Sequence, residues 1–257
     1  MSRADLFLWI ALPYVCLATF VVGHVWRYAR GQLTWTARST QLLEQRLLRV
    51  GSLLFHLGIL AVVGGHVLGI LVPAGVTGAV GIDEGAYHVI SVTAGGLAGA
   101  ATTLGILVLA YRRLAVGRVR AATPRSDLVM YPILLVAILT GMAATFGPNL
   151  LLGEYHYRET VSPWFRGVFA FSPDPDLMDG APLLFQAHAV SAWLLFAVWP
   201  FSRLVHAWSV PLSYLQRSWI LYRSRNPRAA LAFERARRSG AEGVAAGEPP
   251  RVEGGRR

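Results

Sequence analysis

The stretch LLFHLGILAVVGGHVLG, residues 53–69, is apolar but for two histidines ten positions apart. One crossing of a bilayer takes about 20 consecutive, mostly apolar residues, and this run extends on both sides, from Gly51 to Val72. Four more stretches meet the same test: Leu6–Val25, His88–Tyr111, Leu128–Phe146 and Pro182–Val205. Of the 257 residues, 54% are apolar and 15% charged, with mean hydropathy +0.46. A soluble domain spends about 25% of its residues on charge, and one soluble core has no use for so many apolar side chains. The pattern predicts an all-α membrane protein with five transmembrane helices. The first run has one Arg before it, Arg27 and Arg30 behind it and no small-residue cleavage pattern. It is expected to be a retained span and not a removed signal peptide.

All 24 basic residues are Arg, and the formal net charge is +10. Arg27, Arg30, Arg38, Arg46 and Arg49 follow the first span; Arg112, Arg113, Arg118, Arg120 and Arg125 follow the third; eleven more run from Arg203 onward. Alternating spans put these 21 of the 24 on one side and leave Arg3, Arg158 and Arg166 on the other, among Asp83, Glu84, Glu154, Glu159, Asp174, Asp176 and Asp179. Arginine marks the cytoplasmic side, so the N-terminus is expected outside and the C-terminus in the cytoplasm. The positive excess reads as an orientation signal and a docking face for a cytoplasmic partner, not as a nucleic-acid surface. Residues 1–225 are expected to form the membrane domain. Residues 226–257, rich in Arg, Ala, Gly and Glu, are expected to be a largely disordered cytoplasmic tail. The segment 148–181, with SPWFRG and SPDPD, is too broken by Pro and acids to span. Its Trp164, Phe165, Phe169 and Phe171 are expected at the outer interface. Cys16, alone, excludes a disulfide scaffold, a Cys-ligated zinc site and a CxxCH haem attachment.

Ionisable side chains inside a membrane are costly and mark function. The second span holds His56 and His66; the fifth holds His188 and His206. These spans run in opposite directions, so antiparallel packing sets His56 opposite His206 on the inside and His66 opposite His188 on the outside. Two facing pairs suggest two bis-histidine haems. Zinc or copper also takes imidazole, and a lone intramembrane histidine commonly serves helix packing. The depths do not match: ten residues of helix rise about 15 Å and eighteen about 27 Å. Pro200, between the second pair, is one feature that absorbs the difference. Arg203, three residues before His206, and Arg112 are candidates for pairing with haem propionates. Gly64, Gly65, Gly69, Gly95, Gly96 and Gly99 suit close helix packing or a flat macrocycle. His24 and His156 read as interfacial.

Four segments carry a resemblance: RYARGQLTWTARSTQLLE (27–44), LLFHLGILAVVGGHVLG, RRLAVGRVRAAT (112–123) and WPFSRLVHAWSVPLSYLQR (199–217). They resemble the gamma subunit of membrane-bound respiratory nitrate reductase, over about residues 5–225. The resemblance implies a five-span cytochrome b with two haem b groups, the inner on His56 and His206, the outer on His66 and His188. It further implies quinol oxidation near the outer haem and electron transfer inward to an iron–sulfur subunit. That subunit feeds a molybdenum subunit that reduces nitrate in the cytoplasm, which implies a bacterial plasma (inner) membrane. Some members carry a Lys near the start of the third span that looks involved in quinol binding; here there is no Lys, and Tyr87 and His88 stand in that region. Quinol is therefore expected near Gly65, His66, Tyr87 and His88, with His88 relaying a proton, since imidazole titrates near neutrality. Two rival readings stand beside this one: a dihaem subunit serving a different cytoplasmic reductase, and a haem-free proton channel or transporter using histidine as a relay.

Overall fold

The computed structural model describes residues 2–31, 34–36, 39–147, 155–209 and 235. The chain to Val210 forms one compact unit and Pro211–Arg257 a second. Apart from Arg235, that second unit lies outside the described residues, as does the expected tail 226–257. Among the described residues every regular element is helical. Five helices are long and apolar enough to cross a membrane: Arg3–Gly31, Arg46–Leu71, Glu84–Ala115, Arg125–Gly147 and Leu183–Phe201. Each of the five expected spans is found. The first four helices run past their apolar stretches into flanking polar residues, because the backbone continues helical while it can bond to itself.

The long helices form a row and not a ring. The second packs on the third, the third on the fourth, the fourth on the fifth, and the fifth on the first. Small residues set the closest approaches. A Cβ on Gly58 would meet Thr102 Oγ1 at 2.5 Å, and one on Gly105 would strike the backbone of Phe55. With no hydrophobic drive between helices in lipid, such close backbone packing supplies much of the association. The second and fifth long helices, expected to pack face to face, are not among the closely packed pairs. Only their histidines reach across, as described below.

The last carbonyls of an α-helix have no partner within it and take donors from elsewhere in the protein. Arginines supply them. At the end of the second long helix, Arg166 donates to Ile70 O, Arg158 to Val72 O, and the Ser162 hydroxyl to Gly69 O. Arg112, in the last turn of the third, donates to Glu44 O and Thr40 O. Glu44 in turn accepts from the Leu47 and Leu48 amides, capping the start of the second helix. A negative cap and a positive last turn on antiparallel neighbours also suit both helix dipoles.

The fifth helix breaks. Its α-helical part ends at Val198, a tight 3-10 turn covers Trp199–Phe201, Ser202 is extended, and Arg203–Ser209 forms a second 3-10 run. Pro200 lacks an N–H and cannot continue the ladder. Arg27 donates to the carbonyls of Pro200 and Ser202. His188 and His206 are thus on different elements, and the expectation that one straight helix separates them by about 27 Å at 1.5 Å per residue is corrected.

The connection between the fourth and fifth long helices carries structure of its own. Val161–Phe169 is a helix, and Trp164 is buried, its indole N–H donating to Trp9 O at 2.9 Å. Trp164 is thus core and not interface: a buried indole needs a partner, and Trp9 on the first helix offers one. Phe165 stacks on Trp193, whereas Phe169 and Phe171 are exposed.

The packing gives a direct test. Gly105→Ala forces apart the second and third helices and should cost about 1–3 kcal/mol. Gly78→Ala, where a methyl meets nothing within 4 Å, should stay within about 0.5 kcal/mol. Thermal unfolding of the two variants in detergent compares them.

Candidate functional site

The four membrane histidines meet in two pairs. The rings of His56 and His206 lie with centroids 6.0 Å apart at 73°, and those of His66 and His188 lie 5.8 Å apart at 46°. These are the partners that the antiparallel argument selected. Their helices stand apart, so the imidazoles approach across a gap. His56 and His66 are exposed in the isolated chain, and His188 and His206 half-buried.

All four rings are tethered in the same way. Nδ1 of His56 lies 2.7 Å from Ser52 O, that of His66 2.8 Å from Val62 O, that of His188 2.9 Å from Ala137 O, and that of His206 2.6 Å from Arg203 O. A carbonyl only accepts, so each Nδ1 carries the proton and each Nε2 presents a lone pair. This tautomer and this tether are what a metal-bound imidazole uses. The spacing fits as well. Two metal–nitrogen bonds of about 2.0 Å, plus about 1.1 Å from each nitrogen to its ring centre, give centroids about 6.2 Å apart across one metal ion.

Among the described residues no group of three or more His, Cys, Asp or Glu is arranged to hold a metal ion. A pair of facing imidazoles could hold a metal that brings its other donors with it, as a porphyrin does. The second helix leaves room for such a plane: no atom lies within 4 Å of where a Cβ on Gly64 or Gly65 would stand. Gly141 serves the His66–His188 pair differently, since a Cβ there would meet the His188 ring at 2.9 Å. Of the other glycines singled out above, Gly69 lies under the Tyr87 and Tyr157 hydroxyls, Gly96 faces Phe146 and Gly99 faces Met142, while Gly95 meets nothing.

The remaining candidates separate into two ends. At the end where the third long helix starts, Tyr87 and His88 line one small recess with Glu84, Tyr157 and Arg158. The Tyr87 and Tyr157 hydroxyls are 2.8 Å apart, and the Arg158 guanidinium sits 4.0 Å over the Tyr87 ring while pairing with Glu84 at 2.9 Å. Burial holds the Tyr157 hydroxyl protonated well above the ordinary tyrosine range. At the other end, Arg112 is buried and engaged by Glu44 and Thr40. Arg203 forms an ion pair with Asp127, which also takes Arg113. Sequence reasoning passed over Asp127, although an acid at the mouth of an apolar run is itself a signal. It also passed over Gly141, for which sequence offers no signal.

A family model described as nitrate reductase gamma subunit matches residues 5–225. The nitrate reductase gamma chain of Bacillus subtilis is 47% identical over 219 residues, 85% of this chain and 98% of its own. The nitrate reductase-like protein NarX of Mycobacterium tuberculosis is 48% identical over 90% of this chain, which spans 35% of that longer protein. The respiratory nitrate reductase 2 gamma chain of Escherichia coli is 33% identical over 86% of this chain and 97% of its own.

The Glu44–Arg112 clamp carries an acid-dependent prediction. Burial raises the Glu44 pKa, but the Leu47 amide, the Arg112 side chain and the Leu48 amide outweigh it and hold the carboxyl below its ordinary 4.5. A depressed native pKa gives stability that is present above the unfolded value and lost as pH falls through the native one. Unfolding of the wild type should therefore grow easier below about pH 4.5. Glu44→Gln should be less stable at neutral pH and should flatten that acid limb.

Proposed function

The chain belongs to the nitrate reductase gamma subunit family, and from that membership we propose that it is the quinol-oxidising membrane subunit of a respiratory nitrate reductase. It holds two haem b groups, the inner between His56 and His206 and the outer between His66 and His188. One observation carries this reading: four imidazoles, each with Nδ1 spent on a main-chain carbonyl, meet in two pairs 6.0 and 5.8 Å apart. A proton channel has no need of imidazole pairs held 6.0 and 5.8 Å apart with each Nδ1 spent on a carbonyl, and the spacing speaks against the haem-free alternative.

When bound, the haems supply one-electron chemistry, linking a two-electron quinol at one face to an iron–sulfur partner at the other. The protein's own part is to bind, orient and take protons. The carbonyl tethers fix the ring planes and make the imidazoles better donors. Gly65 keeps space beside His66 for the quinol, Tyr87 is steadied by its bond to Tyr157, and His88 takes the quinol proton at the rim of the recess. The N-terminus lies outside and the C-terminus in the cytoplasm of a bacterial inner membrane, as the 21 arginines on one side support. That face docks an iron–sulfur subunit, which feeds a molybdenum subunit where nitrate is reduced.

The test is optical. Purified protein reduced with dithionite should show a b-type spectrum with two haems per chain and two redox steps. His66→Ala or His188→Ala should leave one haem and abolish quinol oxidation. Gly141→Ala, crowding the His188 ring, should lower occupancy of the outer haem while leaving the inner one full. A wild-type protein without iron or haem sinks the reading.

A further inference from the structure

Asp127 stands in the first turn of the fourth long helix with 1% of its side chain exposed. Two guanidiniums converge on it from different elements. Arg113, at the end of the third long helix, donates to Oδ2 at 2.8 Å. Arg203, beyond the break in the fifth, approaches as a fork, Nε to Oδ1 at 3.1 Å and Nη2 to Oδ2 at 2.8 Å. A forked pair fixes direction as well as distance, so the backbone of residue 203 is pinned. The same residue's carbonyl accepts the His206 Nδ1 proton at 2.6 Å. His206 itself rides on a 3-10 run that follows an extended Ser202. Such a run has poor hydrogen-bond geometry, and its own ladder does little to fix the ring.

We infer that Asp127 is a positioning residue for the inner haem: by pinning Arg203 it fixes the carbonyl that orients His206, and so sets the potential of the iron held between His56 and His206. The inference rests on the haem reading above and adds a residue to it. Two effects of losing the carboxylate act in one direction. A slacker Nδ1 bond leaves the imidazole a weaker donor, and two uncompensated guanidiniums add positive charge nearby. Both favour the reduced iron. The other tethered rings have no such support: Ser52, Val62 and Ala137, which accept from His56, His66 and His188, all lie within regular helix.

The experiment is a redox titration of the full chain in detergent, followed optically, with the inner step assigned as the one lost in His206→Ala. Asp127→Asn should raise the inner step so that the reduced-to-oxidised ratio at the wild-type midpoint increases about tenfold, about 59 mV for one electron. The outer step should stay, which also shows that the fold is intact. Asp127→Glu, which keeps the charge, should return the inner step towards its wild-type position. Where the Asn protein does not accumulate, Arg203→Lys, which loses the fork on Asp127, should move the electron paramagnetic resonance signal of the inner haem while the outer signal stays. An inner step and signal that do not move, or two steps that shift together, overturn the inference and leave the haem reading standing. A wild type that binds no haem overturns both.

Discussion

Two histidines eighteen residues apart must stand opposite two that are ten apart, and the chain meets that demand by breaking the fifth helix at Pro200. Everything around His206 follows from the break. It ends the straight rise, turns the chain at Ser202, and sets His206 on a short run of its own. It also frees carbonyls that nothing in the fifth helix can satisfy, and Arg27 from the first helix takes those of Pro200 and Ser202. Gly23, one turn before Arg27 on that helix, admits the proline ring to within 2.6 Å of where a Cβ would be. The kink is thus held from outside by a neighbour shaped to receive it.

The same logic recurs at other helix ends. Arg158 and Arg166 close the C-terminal end of the second helix, Arg112 links the third to the cap of the second, and Arg113 and Arg203 share Asp127. A guanidinium suits this work because its planar fork reaches two acceptors at once. The arginines that sequence reading weighed as haem-propionate partners, Arg112 and Arg203, are in the structure engaged by protein groups: carbonyls, a hydroxyl and carboxylates.

Much of this was legible in the residues. The five apolar runs are written in composition, and opposite chain directions alone choose the partners of His56 and His66. What escaped is what depends on three dimensions. Periodicity marks a helix but not its neighbour, so the row order, with the second and fifth helices apart, had to be seen. Pro200 announced a break, but not that the chain would run extended at Ser202 and then resume. Trp164 looked like an interfacial aromatic because sequence does not reveal that Trp9 offers a carbonyl to its N–H. Asp127 looked like an ordinary flanking charge, since its two arginines come from positions 14 and 76 residues away.

The all-arginine composition acquires a further consequence from where those arginines are used. An ammonium drawn into an apolar setting sheds its proton readily, whereas a guanidinium keeps its charge throughout the range of pH a cell meets. A membrane that separates protons presents different acidity to its two faces. Helix ends fastened by lysine would loosen on one face as conditions changed. Fastened by arginine, the clamps keep their cations throughout that range on either side, and their acid limit is set by the carboxylates that face them, Glu44 among them.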